Sequence, residues 1–202
     1  EAFREIFNIE SVVMPDSVTR IESLAFLDCW NLSEIRFSDN LKYAGHNAFE
    51  NTKWLSEQKD GMVIINRNLL YCYQGSEKDV IIPDNITYIA EGAFYENKRV
   101  ESIIMSDNIL ETGSSAFGGC TNLRKIRLSE NLSKIESYLF CRCFSLKEIR
   151  IPDKVTRICY ASFDQCMNLE SLTFPKKHIT IDPDVFEDTK WLLNYESDFV
   201  II

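Results

Sequence analysis

Seven cysteines are the residues of this chain whose type and spacing could do chemistry. Four of them share one place in a repeating pattern, three residues after a phenylalanine: Cys29, Cys120, Cys143 and Cys166. If successive turns of the chain stack, these thiols form a row that could approach disulfide or metal-binding distance. However, a straight row of side chains cannot surround one ion tetrahedrally, and parallel neighbours rarely have the torsion of a disulfide. We therefore interpret the four as small side chains that fill a tight inner corner, and the odd cysteine count favours a reduced setting.

Acidic residues form a second regular set, thirteen residues after the phenylalanine of each repeat. Its members are Asp16, Asp39, Asp84, Asp107, Glu130 and Asp153. Stacked carboxylates could hold a divalent cation through oxygen ligands, but turn chemistry alone explains an acid at each of these places. The two histidines, His46 and His178, form no zinc motif, and the chain has neither a phosphate-binding glycine loop nor a nucleophile elbow. The sequence thus predicts a protein that is not an enzyme, with no catalytic, cofactor-binding or metal residues.

The element that must position all of these residues is a repeat built on phenylalanine. Its phenylalanines are Phe3, Phe26, Phe49, Phe94, Phe117, Phe140, Phe163 and Phe186. They are 23 residues apart at every step but one, and the 45-residue step from Phe49 to Phe94 equals one period plus 22 inserted residues. A fixed period of this length indicates a solenoid whose turns bury a shared core, and it predicts a buried phenylalanine ladder.

Each repeat predicts two short strands and a tight turn. Apolar residues lie nine and eleven places after the phenylalanine, as Ile126 and Leu128 do, with polar or variable residues beside them, which is the period of a strand with one buried face. A Pro or Ser and an Asp-Asn type pair follow, where Asn tolerates a left-handed turn conformation. A second apolar segment such as Val155 to Ile158 then returns the chain to the next phenylalanine. His178 replaces an aliphatic residue at this place, either as a core misfit or because the register slips by one residue onto Ile179.

The phrases Cys166-Met-Asn-Leu-Glu-Ser-Leu-Thr-Phe-Pro175 and Ile151-Pro-Asp-Lys-Val-Thr-Arg-Ile158 resemble the BspA-like leucine-rich repeat family of the treponemal type. The resemblance implies a mainly β repeat solenoid, a right-handed stack of parallel strands, often found on bacterial surface proteins involved in adhesion. We expect one solenoid over residues 1–202, with repeats at 1–49 and 79–188. An insertion would occupy 50–78, and a truncated second insertion 189–202.

The insertion predicts a helix plus a hairpin. Thr52 is the candidate N-cap of a short helix, and strands at 62–65 and 69–73 would be joined across residues 66–68, whose Asn residues suit left-handed positions. Thr189-Lys-Trp-Leu192 repeats Thr52-Lys-Trp-Leu55. We interpret the element as a brace whose Trp54 packs on the adjoining turn; the alternative is a recognition element that presents aromatic surface.

Net charge limits the partners. A charge of −9 argues against binding to nucleic acid or to anionic membranes, which attract clustered Lys and Arg. The longest apolar runs fall well short of a membrane span. The chain begins with Glu1, so we expect a fragment or processed protein, and cell-surface or secreted localisation is implied by the resemblance alone.

The strand residues eight and ten places after the phenylalanine point away from the predicted core. In the resembled family this is the concave strand face, where a protein or glycan ligand of unknown identity would bind a monomer. The tentative contact residues are Val13, Glu34, Arg36, Ile81, Ile104, Lys125, Arg127, Glu148, Arg150 and Thr173. The opposing interpretation is a solvated sheet face whose charges pair between strands. At the level of function, the rivals are a purely structural stalk and an intracellular scaffold that presents another domain.

Overall fold

The computed structural model describes residues 2–59 and 61–195 and shows a mainly β solenoid. In chain order the elements are β1 (Ser11–Val13), β2 (Arg20–Ile21), β3 (Glu34–Arg36), β4 (Tyr43–Ala44), α1 (Lys53–Ser56), β5 (Met62–Ile65), β6 (Leu69–Tyr73), β7 (Asp79–Ile81), β8 (Tyr88–Ile89), β9 (Ser102–Ile104), β10 (Glu111–Thr112), β11 (Lys125–Arg127), β12 (Lys134–Ile135), β13 (Glu148–Arg150), β14 (Arg157–Ile158), β15 (Ser171–Thr173), β16 (Thr180–Ile181) and α2 (Lys190–Tyr195). The predicted repeat solenoid with a helix and hairpin is therefore confirmed. No helix within the described residues has the length and apolar character needed to cross a bilayer.

Strands of successive turns pair in parallel, and most pairs join residues one period apart. In the first set of strands, β1 pairs with β3, β7 with β9, β9 with β11, and β13 with β15. Ile103 lies beside Ile126, for example. In the second set, β2 pairs with β4, β6 with β8, β8 with β10, β12 with β14, and β14 with β16. Because side chains alternate along a strand, this register places the apolar residues of all turns on the same inner side.

The phenylalanines form the predicted ladder. Ring centroids of successive phenylalanines are 5.0 Å apart for Phe3 and Phe26 and 5.6 Å apart for Phe117 and Phe140, with the rings nearly parallel. Phe117 is fully buried, whereas Phe3, the first ring, is 43% exposed. Burial of a phenylalanine is a large source of stability, because its truncation in a core costs about 3–5 kcal/mol.

The backbone on either side of each phenylalanine is left-handed, which the sequence analysis did not predict. Two residues before and two residues after the ring, φ lies between 50° and 71° in nearly every turn, at non-glycine residues such as Tyr138 and Arg142. This conformation costs roughly 1–2 kcal/mol per residue. It permits three bonds to the next turn: the N–H groups of Ser115, Phe117 and Gly119 donate to carbonyl oxygens of Ser137, Leu139 and Cys141 at 3.1, 3.1 and 2.7 Å. We call the bond from the phenylalanine N–H the central rung and the two bonds on either side of it the outer rungs.

Asparagines form two further ladders that correct the prediction of left-handed Asn in the turns. Asn108 and Asn131 have ordinary φ values, and their Nδ2 groups donate to the carbonyl oxygens of Asp84 and Asp107 on the preceding turn, at 2.9 and 2.6 Å. Asn122, five residues after a phenylalanine, donates likewise to the Lys98 carbonyl at 2.6 Å. In these repeats the turn is closed by the Ser before the acid, whose hydroxyl accepts the N–H of the Asn.

The inward-facing residue near His178 shifts by one place, although the paired strands β14 and β16 keep the 23-residue step. His178 is exposed, while Ile179 is partly buried and packs against the core, so the second of the two sequence interpretations applies. An aliphatic side chain therefore still fills this place.

The hairpin is part of the stack. Strand β6 pairs in parallel with β8 and antiparallel with β5. The Tyr73 ring stacks on Phe94 at 4.9 Å, and the Tyr73 N–H donates to the Ala93 carbonyl at 2.8 Å, the bond that Phe94 makes to Ala116. Tyr73 thus takes the place of a ladder phenylalanine, 24 residues after Phe49 and 21 before Phe94. We call residues 50–78 the joint; their bounds as an insertion stay a prediction.

The hairpin turn differs in detail from the prediction. The left-handed residues are Asn66 and Arg67, with φ of 49° and 65°, and Asn68 is not one of them. Two consecutive positive φ values match the right-handed twist of paired strands.

Tyrosine replaces backbone at the centre of the joint. The buried Tyr71 hydroxyl accepts the Phe49 N–H at 2.9 Å, a bond made elsewhere by a carbonyl of the next turn. Leu70 and Tyr71, adjacent on β6, belong to different core clusters, one running to Phe186 and the other back to Met14. The hairpin therefore lies between two blocks of core and contributes side chains to both.

Helix α1 packs as the bracing interpretation predicts. Its N-cap Thr52 accepts the Leu55 N–H at 3.1 Å, and the Trp54 ring lies 5.0 Å from Phe49. The second copy repeats this geometry: Thr189 accepts the Leu192 N–H at 3.2 Å, and Trp191 lies 4.6 Å from Phe186. Of the predicted second insertion at 189–202, residues 196–202 lie outside the described residues.

Candidate functional site

The ten predicted contact residues lie on the first set of strands, in two groups. The smaller group consists of Val13 on β1 and of Glu34 and Arg36 on β3, and Val13 lies beside Arg36. The larger group follows the joint on β7, β9, β11, β13 and β15: Ile81, Ile104, Lys125, Arg127, Glu148, Arg150 and Thr173. Strands β3 and β7 are not paired, because the joint lies between them. We call the larger group the strand face.

The first two strands of the strand face, β7 and β9, each contribute an exposed apolar side chain. Ile81 and Ile104 are neighbours across β7 and β9, and they are 69% and 45% exposed. The intervening residue on each strand points inward, so the alternation that buries Val80 and Ile103 forces these two into solvent. Contiguous exposed aliphatic surface is a common feature of interaction sites.

Arginines continue the same row. Arg127 donates to both carboxylate oxygens of Asp107 at 2.8 and 3.0 Å and to the Met105 carbonyl at 2.6 Å. Arg150 donates to Glu130 at 2.5 Å and lies 3.5 Å from Asp153. Each arginine thus reaches the acid in the turn of the preceding repeat, which holds its guanidinium in a fixed orientation.

These pairs also involve two members of the regular set of acids that follow each phenylalanine by thirteen residues, Asp107 and Glu130. The Arg127 guanidinium, together with the Glu130 N–H, lowers the pKa of the Asp107 carboxyl below its ordinary value. Within the described ranges, no three His, Cys, Asp or Glu side chains gather closely enough to hold a metal ion. Arg36, by contrast, has no carboxylate within 4 Å among the residues that the structure describes.

The strand face also contains charged residues at the first positions of β11 and β13. Lys125 and Glu148 are exposed on adjacent strands, and with Arg127, Arg150 and Thr173 they line a shallow depression of about 820 Å³. Sequence reasoning placed these residues correctly on exposed strand positions, but it did not predict the intramolecular pairs of the arginines.

The cysteines have the environment of structural thiols. All seven are free, and the four of the regular row are fully buried. Cys120, Cys143 and Cys166 donate to the carbonyl oxygens of phenylalanines on the preceding turn at 3.0–3.2 Å. Burial raises the pKa of the Cys120 thiol to about 12 and that of Cys141 to about 11. A catalytic cysteine needs the opposite shift, because the thiolate is the nucleophile.

A second depression, at the joint, was missed by the sequence analysis. It encloses about 210 Å³ between the turn of Phe49 and that of Phe94, and its lining includes His46, Asn47, Glu50 and Tyr95. The His46 ring lies 5.0 Å from the Tyr95 ring. We call it the joint cleft. No sequence signal marked it, because its walls come from two turns that the joint separates in the sequence.

Glu91 ties the two blocks together beside this cleft. Its Oε2 accepts the Tyr43 hydroxyl at 2.5 Å and the Ser23 hydroxyl at 3.0 Å. Burial, and then the bond to Glu91, raises the pKa of Tyr43 to about 12. One carboxylate thereby links residues on both sides of the joint.

Solved structures show the same fold. The chain aligns with a leucine rich cell surface protein from Faecalibacterium prausnitzii A2-165 at a TM-score of 0.55 and 19% identity, over 87% of this chain and 62% of that one. It aligns with the pneumococcal vaccine antigen PcpA at a TM-score of 0.60 and 19% identity, over 90% of this chain and 57% of that one. A leucine-rich repeat protein from Bacteroides ovatus ATCC 8483 gives 0.50 and 23%, over 96% and 53%. The chain therefore spans between about half and two thirds of their lengths.

The family is shown by the sequence itself. A comparison with curated proteins finds no match. The model of the BspA type leucine rich repeat region matches residues 1–74 and 63–192, in six copies. Together with the stacked parallel strands, this match confirms the resemblance: the chain belongs to the BspA type leucine-rich repeat family.

Proposed function

We propose that this chain is a non-enzymatic module of a bacterial surface protein, that it engages a protein or glycan ligand through the strand face, and that it does so as a monomer. The observation that carries the proposal is the row of exposed Ile81 and Ile104 continued by Arg127 and Arg150. Contiguous exposed aliphatic surface is a common feature of interaction sites, and arginine is enriched in binding hot spots. Surface location rests on the family and on the described location of the Faecalibacterium protein.

A structural stalk is the rival with its own support. Arg127 and Arg150 already pair with turn acids, so their charges contribute to the stack. A stalk needs no ligand, and it would tolerate changes to exposed strand residues.

Apolar substitutions separate these two functions better than charge reversal of the paired arginines, since reversal would also break the ion pairs. The variant Ile81→Asp with Ile104→Asp changes two exposed side chains and leaves the core intact. Leu110→Asp is the matched control, because Leu110 is 53% exposed and lies outside the strand face. Arg36→Glu tests the smaller group before the joint.

The assay is binding to a glycan array and to purified extracellular-matrix glycoproteins, with urea unfolding as a check on folding. We expect the double variant to lose at least tenfold in affinity for the ligand found, while the Leu110 variant keeps it. Equal binding by wild type and the double variant would contradict the strand face as the site. The absence of any binding partner would favour the stalk.

A further inference from the structure

The joint cleft has unpaired backbone groups on facing walls. A regular turn makes three rungs to its neighbour, but among the described residues the joint keeps only the central one, through Tyr71 and Tyr73. Within the described residues, the Asn47 N–H has no protein acceptor, and the carbonyl oxygens of Glu91 and Tyr95 have no protein donor. The cleft therefore offers a donor from one turn and acceptors from the other.

Side chains add an aromatic face and several amides. Tyr95 is 43% exposed, and its ring is held from one side by His46. Asn97 lines the cleft, and its Oδ1 accepts the N–H groups of Arg99 and Val100 at 2.9 and 3.0 Å, which fixes the orientation of the amide. Gln74 and the Glu50 carboxylate complete the rim.

Gly92 allows His46 to approach the backbone closely at the end of the cleft. A Cβ built on this residue would lie 2.5 Å from the His46 ring, and its φ is +65°. His46 therefore packs directly on backbone, and its ring is fixed at the end of the cleft, next to Tyr95.

Size and charge select the chemistry of a ligand. The volume of about 210 Å³ is below the roughly 300–1,000 Å³ of sites for drug-sized ligands, so the occupant is a single small ring. The lining contains no Lys or Arg, which disfavours phosphate and carboxylate ligands. Hydroxyl groups both donate and accept, which suits a rim of mixed polarity, and the C–H face of a sugar can pack on an aromatic ring.

We propose that the joint cleft binds one neutral pyranose ring of a glycan, stacked on Tyr95 with its hydroxyls bonded to the Asn47 N–H, the facing carbonyls and the amides of Gln74 and Asn97. The cleft shares no lining residue with the depression on the strand face. It is thus a second site, whose existence does not require the strand face to bind anything.

The probes are methyl glycosides of glucose, galactose, mannose, fucose and N-acetylglucosamine, with methyl glucosaminide as a cationic comparison. Saturation-transfer NMR detects contact and titration calorimetry gives affinity. We expect at least one neutral glycoside to bind with a Kd on the order of 1–10 mM, as one small ring in a shallow site should. Tyr95→Ala should weaken it at least tenfold and Gln74→Ala several-fold.

Tyr138→Ala is the control, since Tyr138 is a similarly exposed tyrosine on another turn. It should leave affinity unchanged, and urea midpoints should show that all variants fold. No binding of any neutral glycoside at about 50 mM, full affinity in Tyr95→Ala, or preference for the cationic glycoside would overturn the proposal. The Ile81 and Ile104 double variant should keep sugar binding, which distinguishes failure of this site from failure of the strand face.

Discussion

The regular turns from Phe94 to Phe186 and the joint at 50–78 solve the same packing problem with different groups. In the regular turns, phenylalanine stacks on phenylalanine and three backbone rungs join each turn to the next. In the joint, Tyr73 provides the ring, the Tyr71 hydroxyl provides the acceptor, and helix α1 packs Trp54 on Phe49. The comparison shows that the stack requires a buried ring and a satisfied central rung, whereas the outer rungs can be given up.

The largest expected effect on stability comes from removing a ring from the regular turns. Phe117 is fully buried between Phe94 and Phe140, at 5.3 and 5.6 Å. We expect Phe117→Ala to lower the free energy of unfolding by about 3–5 kcal/mol, because a cavity forms inside a continuous core. Urea unfolding followed by circular dichroism measures the loss.

The control for that experiment is Tyr138→Ala, on the outer surface of the next turn. It should cost about 0.5 kcal/mol, like other surface substitutions. Similar losses in the two variants would mean that the ladder does not carry the stability of the stack.

A smaller loss of stability is expected when the central rung of the joint is removed. Tyr71→Phe keeps the ring and removes the hydroxyl that accepts the Phe49 N–H. A buried N–H left without an acceptor costs about 1–3 kcal/mol, measured by the same unfolding. Tyr95→Phe, which removes a half-exposed hydroxyl, should change stability little; if Tyr71→Phe were equally neutral, the joint would not need its central rung.

Thiol reactivity gives the finest comparison between the two regions. Cys120, Cys143 and Cys166 are fully buried in the regular turns, whereas Cys72 is half-buried and lines the joint cleft. Burial raises the pKa of both Cys72 and Cys120 to about 12, so all should react slowly at pH 8.

Iodoacetamide labelling with mass spectrometry should find Cys72 modified before the buried row, and all seven thiols modified rapidly in guanidinium. Labelling of the buried row at the rate of Cys72 in the native protein would show that the regular turns open as readily as the joint.

The sequence predicts the features that depend on apolar spacing. The 23-residue step of the phenylalanines specifies the ladder, alternation around Ile126 specifies the strands, and Thr52 specifies the helix cap. Each of these depends on side-chain type and on local chain geometry. The same alternation predicts which strand residues are exposed, so the strand face follows from sequence as a set of positions.

Other features depend on distances between turns, which spacing alone does not give. Tyr73 differs from phenylalanine and lies off the period, so its place in the ladder was hidden as an insertion. The left-handed positions carry residues as different as Leu24, Tyr138 and Arg142, so no residue type marks them. The bond from Arg127 to Asp107 joins two turns, and a turn acid is sufficiently explained by local chemistry until the stack is seen.

The most direct test of the account is amide hydrogen exchange at the joint, measured residue by residue by NMR. The Phe49 N–H should be protected to the same degree as the Phe117 N–H, because Tyr71 accepts it in the core. The Asn47 N–H, on a rung that the joint gives up, should exchange orders of magnitude faster. Exchange of Phe49 at the rate of Asn47 would contradict the claim that tyrosine carries the central rung through the joint.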